Sequence, residues 1–160
     1  MKAVIVSDSH GRYGGIQEIM EKEAPFDLFL HAGDLCGGYS RICEWTDAAV
    51  HAVRGNCDFG SDLPEEELVS FGRHTIFLTH GHRYYVRTGI EELARAAAVK
   101  GADLAVFGHT HMPLADERYG VIVLNPGSLS EPRQKSAKAT YIVLETMPDG
   151  HVKWEIKYFE

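Results

Sequence analysis

The residues best suited to chemistry in this 160-residue chain are two aspartates, an asparagine and four histidines. Asp8 and His10 stand two apart; Asp34 follows a glycine; Asn56 lies in Gly55-Asn56-Cys57-Asp58; His80 opens His80-Gly81-His82; and His109 and His111 frame Thr110. In extended chain, residues i and i+2 point to the same side, so Asp8 with His10, and His109 with His111, can each present two ligands toward one rim. Carboxylate and amide oxygens with imidazole nitrogens, and no cysteine, suit a divalent metal of middle hardness: Mn, Fe, Zn or Ni. Seven such groups are too many for one ion that keeps an open position. They fit two ions about 3.5–4 Å apart sharing a bridging carboxylate, as in two-metal phosphatases and nucleases. Two Lewis acids would also bring the pKa of bound water from about 15.7 toward neutrality, supplying a hydroxide nucleophile.

Charge points the same way. The net charge is −7, so the surface as a whole repels polyanions, and an anionic substrate needs a local attraction. Two divalent ions against Asp8 and Asp34 leave an excess of positive charge, and a bridging hydroxide still leaves some, enough for a phosphate ester to bind. A lone Asp or His after a strand is more often a turn residue or cap, and a lone His-x-His a surface loop. The weight lies in five such elements in succession.

The elements that must hold these residues are legible. Apolar strands are expected at Lys2-Ser7, Asp27-Leu30, Ala48-Val53, His74-Thr79 and Asp103-Phe107, and each runs within a few residues into one of the groups above. In α/β sheets the carboxyl ends of strands converge on one rim, where ligands bind. Glycines beside the candidate ligands let the backbone turn sharply. Helices are expected near Ile16-Lys22 and Arg41-Asp47, and from Gly89 to Lys100, where Ile90, Leu93, Ala94 and Ala97 share one face. Thr88 and Glu91 form a capping box at the start of this last helix, and Gly101 ends it. Further strands are expected at Glu67-Phe71, Val121-Leu124, Thr140-Thr146 and Val152-Phe159. The last two form a hairpin about Met147-Pro148-Asp149-Gly150, with Val152, Trp154, Ile156 and Tyr158 on a buried face. An α/β portion followed by β-only sequence predicts two stacked sheets flanked by helices, in a single domain over 1–160.

The ordered set Asp8-x-His10, Gly33-Asp34, Gly55-Asn56-Cys57-Asp58, His80-Gly81 and Gly108-His109-Thr110-His111 resembles the calcineurin-like metallophosphoesterase superfamily. With Thr79-His80-Gly81-His82 and Asn125-Pro126-Gly127-Ser128 it is similar to the small bacterial and archaeal phosphodiesterases of the YfcE type. The resemblance implies a four-layer αββα sandwich of two mostly mixed sheets, and a dinuclear site commonly filled with manganese. It implies that Asp8, His10 and His111 hold one metal, that Asn56, His80 and His109 hold the other, and that Asp34 bridges. The expected activity is hydrolysis of small phosphate diesters by attack of a metal-bridging hydroxide.

Many relatives carry His directly after the Asn ligand, where it can protonate the leaving group; here Cys57 stands there. A thiol, with an ordinary pKa of about 8.5 against about 6.5 for His, is a poorer acid-base match. Packing beside the metals is therefore read ahead of catalysis for Cys57, and His82 or Asp58 are the other candidates to supply the proton. Asn125-Pro126-Gly127-Ser128 is expected to be a type II turn supporting the metal rim. Arg12 is a candidate phosphate contact. Cys36 and Cys43 are read as core, and His31, His51, His74 and His151 as core or surface. Three cysteines with no Cys-x-x-Cys pair, and an N-terminal apolar stretch too short for a signal peptide, read as a reduced cytoplasmic protein. The longest apolar runs are far below the ~20 residues of a membrane span. Acidic charge without a basic stripe disfavours nucleic acid; nothing specifies or forbids a homo-oligomer. The rival reading is a metal-binding interaction module, as in the retromer subunit that resembles this family; such scaffolds tend to lose ligand residues, and here none is missing.

Overall fold

A computed structural model describes residues 1–160. The element order is β1 (Lys2–Val6), α1 (Gly14–Glu23), β2 (Leu28–His31), α2 (Tyr39–Glu44), β3 (Ala49–Ala52), β4 (Glu66–Phe71), β5 (His74–Thr79), a 3-10 turn (His82–Tyr84), α3 (Glu91–Val99), β6 (Leu104–Val106), β7 (Pro113–Arg118), β8 (Val121–Pro126), β9 (Thr140–Thr146) and β10 (Val152–Tyr158). One sheet runs β10-β9-β1-β2-β3 and the other β4-β5-β6-β8-β7. Both are mixed. β1, β2 and β3 are mutually parallel, as are β5, β6 and β8, and antiparallel strands complete each sheet.

Strand alternation builds the layers. Along β1, Ala3 and Ile5 face a core shared with Val69, Ile76, Leu78, Leu104 and Val106 of the second sheet. Val4 and Val6 face the opposite way, onto Ile16, Ile19 and Met20 of α1 and Ile42 of α2. On the second sheet, Phe77, Ala105 and Val123 turn outward onto Leu93, Ala94 and Ala97 of α3. The central strands are buried on both faces, which is why they read as almost continuous apolar runs. The result is the expected αββα sandwich.

Several local expectations need correction. Thr88 does not cap α3: Ile90 occupies the N-cap, and the Thr88 hydroxyl instead donates to the Tyr85 carbonyl (2.8 Å). Glu91 and Glu92 in the first turn favour the helix dipole instead, and Gly101, at φ 76°, ends the helix as expected. β7 was not foreseen; it carries Pro113, Asp116, Glu117 and Arg118 and forms only as an edge strand against β8. On β10, Val152 and Ile156 pack on the interlayer core, but Trp154 and Tyr158 stay 36% and 51% exposed. An edge strand lies where that core thins out. Cys36 is exposed and Cys43 half-buried, so neither belongs to the core.

Candidate metal centre

The parallel strands deliver their exits to one rim, and the loops there are bonded to one another. The Asp8 N–H donates to the Gly33 carbonyl (3.0 Å), the His10 N–H to the Asp34 carbonyl (2.9 Å) and the Gly108 N–H to the His80 carbonyl (3.1 Å). Asp8, His10, Asp34, His109 and His111 all take left-handed φ, between 45° and 65°, as does Cys36. Such φ values are uncommon outside glycine and concentrate at functional sites. They also change the geometry expected from sequence. These side chains converge through left-handed turns, not through the alternation of an extended strand.

The first group is Asp8, His10 and His111. Asp8 Oδ2 accepts from the Ser7 hydroxyl (2.6 Å) and the His109 N–H (3.1 Å). Its other oxygen, Oδ1, is buried and lacks any properly oriented hydrogen bond, although His111 Nε2 is 3.0 Å and His10 Nε2 3.9 Å away. His111 Nδ1 donates to the Glu131 carbonyl (2.8 Å), which aims Nε2 inward.

The second group gathers on His80. Its Nδ1 donates to the Ala32 carbonyl (2.7 Å), leaving Nε2 to face Asn56 Oδ1 at 3.1 Å and Asp34 Oδ2 at 3.3 Å. The same Asp34 oxygen lies 3.9 Å from His10 Nε2, between the two groups. Its partner Oδ1 is held by the Cys57 N–H (2.7 Å). His109 parts from His111: its ring packs edge-on against His80, centroids 5.1 Å apart. Glycine is required where the loops touch. A Cβ on Gly55 would lie 2.1 Å from Asp34 Oδ1, and one on Gly108 2.6 Å from Asp8 Oδ2.

Charges respond to this crowding. Burial opposes ionisation of Asp34, but the hydrogen bond and charge of His80 outweigh it and hold the carboxyl well below its usual range. Burial likewise pulls His80 down, yet Asp34 and Asp8 raise it. His111 is raised in the same way by Asp8. For His109, burial dominates, with the charge of His80 added, and lowers it to about 4. A buried carboxylate oxygen without a hydrogen bond, neighbouring Nε2 atoms and small-residue clearances fit a divalent cation; Asp8-His10-His111 and Asp8-Asp34-His80 each bring donor atoms within 4.8 Å of one another.

The remaining candidates divide. Cys57 Sγ belongs to a third such grouping with His10 and Asp34, so a thiol does border the cage. Burial first, then the Asp34 charge, pushes that thiol up to about 11. Cys36 Sγ, unexpectedly, is 3.8 Å from His10 Nδ1. Asp58 is not available to reacting atoms: its carboxylate accepts from the Asp34 N–H (2.8 Å), the Gly55 N–H (2.7 Å) and the Cys36 N–H (2.7 Å). It ties the β2 exit to the β3 exit and positions Asp34. His82 faces the site with its Nδ1 unpartnered, its ring 5.3 Å from His80 and 6.1 Å from His109. Arg12 donates to the Ser130 carbonyl (3.2 Å).

Support residues missed from sequence include His31, buried behind the rim. It accepts from the Gly33 N–H at Nδ1 (3.3 Å) and donates from Nε2 to the Ser9 hydroxyl (2.9 Å); burial lowers it to about 4. Its place two residues before Gly33-Asp34 was the available signal. The Ser128 and Ser130 hydroxyls both donate to the Asp8 carbonyl (2.8 and 2.9 Å), and Gly127 sits at φ 80°, so the Asn125–Ser128 turn buttresses the rim as expected. His51, His74 and His151 pair with Glu67, Asp103 and Asp149 away from it.

The chain as a whole is similar to known proteins. The family model of the calcineurin-like phosphoesterase superfamily domain matches residues 1–149. A probable metallophosphoesterase, YsnB of Bacillus subtilis, is 34% identical over 154 residues, covering 94% of this chain and 87% of its own. Phosphodiesterase YfcE of Escherichia coli is 30% identical over 158 residues, covering 83% and 82%. Among solved structures, a predicted phosphoesterase from Streptococcus pneumoniae superposes with a TM-score of 0.86 at 28% identity, covering 98% and 88%. Vps29 of Entamoeba histolytica, solved as a complex with zinc, superposes with 0.75 at 26% identity over the whole of both chains.

Proposed function

This chain belongs to the calcineurin-like phosphoesterase superfamily, and from that premise we propose that it is a two-metal phosphodiesterase acting on small phosphate diesters. Asp8, His10 and His111 hold one divalent ion, Asn56, His80 and His109 the other, and Asp34 is shared. Manganese is the proposed metal, with iron, zinc and nickel the alternatives; zinc accompanies the Entamoeba neighbour. The supporting observation is the pair of acceptor oxygens turned into the cage, Asp8 Oδ1 without a hydrogen bond and Asp34 Oδ2 between His80 and His10. Such a pair of ions would supply Lewis acidity at the phosphate and a water-derived nucleophile near neutral pH.

The chain's own residues do the positioning. The Asp58 carboxylate orders the Asp34 and Gly55 backbone, and the Ser128 and Ser130 hydroxyls hold the Asp8 carbonyl, so both aspartates are set before substrate arrives. His82, its ring 5.3 Å from His80 and 6.1 Å from His109, is the alternative to Cys57 as a proton source for the departing oxygen. Cys57, a high-pKa thiol, is a poor acid for it. The test is hydrolysis of bis(4-nitrophenyl) phosphate by purified protein loaded with each metal in turn. Turnover that appears with metal and vanishes with chelator is expected. Full metal loading without turnover of any phosphate ester would favour the second reading, a metal-binding interaction module; metal bound on this fold has a parallel in the zinc complex of Entamoeba Vps29.

A further inference from the structure

Beyond His109 the rim continues into two neighbouring recesses. The smaller, about 180 Å³, is lined by His82, Arg87 and His109. The larger, about 320 Å³, shares Val86 and Arg87 with it, and adds Thr110, Arg133 and an apolar floor that includes Phe107 and Leu114. Thr110 lies between two proposed metal ligands, and the Arg133 N–H donates to the His111 carbonyl (3.0 Å), so this recess is anchored to the cage. Neither the Arg87 nor the Arg133 side chain has a carboxylate partner, whereas Arg54 and Arg83 are each paired with Glu65. On the other side of the cage, the recess of about 500 Å³ beside Cys36 and Cys57 is lined by no lysine or arginine.

Two unpaired guanidiniums over an apolar floor, in a chain of net charge −7, form a local field opposed to that of the whole molecule. Guanidinium forks bind carboxylate and phosphate oxygens in pairs. We infer that this two-arginine recess is a subsite for a second acidic group, carboxylate or phosphate, borne on one ester arm of the diester substrate. The carbon part of that arm lies on Phe107 and Leu114 while the scissile phosphate sits at the cage. The inference rests on the phosphodiesterase reading of the metal centre and adds the substrate class to it.

The test uses three diesters with a common 4-nitrophenolate leaving group and a second arm that is benzyl, 4-carboxybenzyl or 4-(phosphonomethyl)benzyl. With the metal-loaded enzyme, kcat/KM for an acidic arm should exceed that for benzyl by about tenfold or more, the scale of a charge-assisted pair. The ranking of the two acids tells carboxylate from phosphate. In the Arg87→Gln, Arg133→Gln double variant the ratio should fall to about one. Calorimetric titration with 4-carboxybenzyl and benzyl methylphosphonate should show the same preference without turnover. Equal or slower hydrolysis of the acidic esters overturns the subsite and leaves the phosphodiesterase reading intact. An acidic preference that survives in the double variant puts the responsible cation elsewhere and overturns the assignment. Failure of all three esters, with every metal, overturns the phosphodiesterase reading itself.

Discussion

Asp34 and Asn56 sit at the same mouth but make different demands of a metal. Asp34 Oδ2 lies between His80 and His10, at 3.3 and 3.9 Å, whereas Asn56 Oδ1 approaches His80 alone, at 3.1 Å. Asp34→Asn should therefore lower metal content to about one ion or fewer per chain, while Asn56→Asp should keep about two, because a neutral amide oxygen cannot serve both ions. Elemental analysis decides; two ions retained in Asp34→Asn would show that the shared ligand is another residue. At Cys57 the prediction concerns rate. A thiol pushed up to about 11 is a weak proton donor, so diesters of acidic aryl alcohols should be cleaved far faster than alkyl ones. Cys57→His should flatten that dependence, raising rates on poor leaving groups by as much as about 10²-fold, the lower end of general acid catalysis. A wild-type rate already insensitive to leaving-group pKa would point to His82 instead.

Between residues and fold, single side chains tie whole elements together. Glu23 ends α1 and is buried, yet it accepts from Lys2 of β1 (3.0 Å), Tyr141 of β9 (2.7 Å) and Lys157 of β10 (2.9 Å). Burial opposes its charge, but the Lys157, Tyr141 and Lys2 hydrogen bonds win and lower its pKa to about 2. A carboxyl depressed in the folded state stabilises fully above its unfolded pKa of about 4.5 and loses that contribution as pH falls toward 2. Stability should therefore drop between pH 5 and 2, by roughly 2–3 kcal/mol from this group. Glu23→Gln should lose a similar amount at pH 7, seen as a fall in Tm of about 5–10 °C, and should flatten the acid limb of the pH profile. An unaltered acid limb would mean that this cluster does not govern it. The loop elements make a parallel prediction. At Gly108 a Cβ would sit 2.0 Å from Ser7 Oγ and 2.6 Å from Asp8 Oδ2, so Gly108→Ala should weaken metal binding while leaving the sheets, read by far-UV circular dichroism, in place.

At the scale of the molecule, an acidic chain gathers two buried carboxylates and four imidazoles where both sheets end. Metal is the natural counter-charge, so it should stabilise as well as catalyse. If ions bind only the native state, at about 100 times their dissociation constant, the gain is about 2.7 kcal/mol, a rise in Tm on the order of 5–10 °C for a chain of this size. Chelation should remove both the rate and that increment; a melting curve and rate unchanged by chelator would sink the two-metal model. No helix is long and apolar enough to cross a membrane.

The αββα layering was legible from the sequence because strands buried on both faces must be apolar at every position, as in Ala3 to Val6 and Ile76 to Leu78, and because each ran straight into a polar, ligand-type group. So was the identity of the residues at the rim. What the sequence could not carry was anything decided across layers. β7 has no apolar alternation and exists only through its pairing with β8. Cys36, read as core, was carried by a left-handed turn to His10. Asp58, one of two alternative candidates for the proton, is instead held by three backbone N–H groups from two loops. His109 and His111 part toward His80 and Asp8, as their assignment to separate ions requires, but they do so through left-handed turns and not through the alternation of an extended strand. Composition and period set which side chains are available and which strands are buried; backbone handedness at the turns and contact between distant loops set where those side chains point, and those are properties of the closed tertiary structure alone.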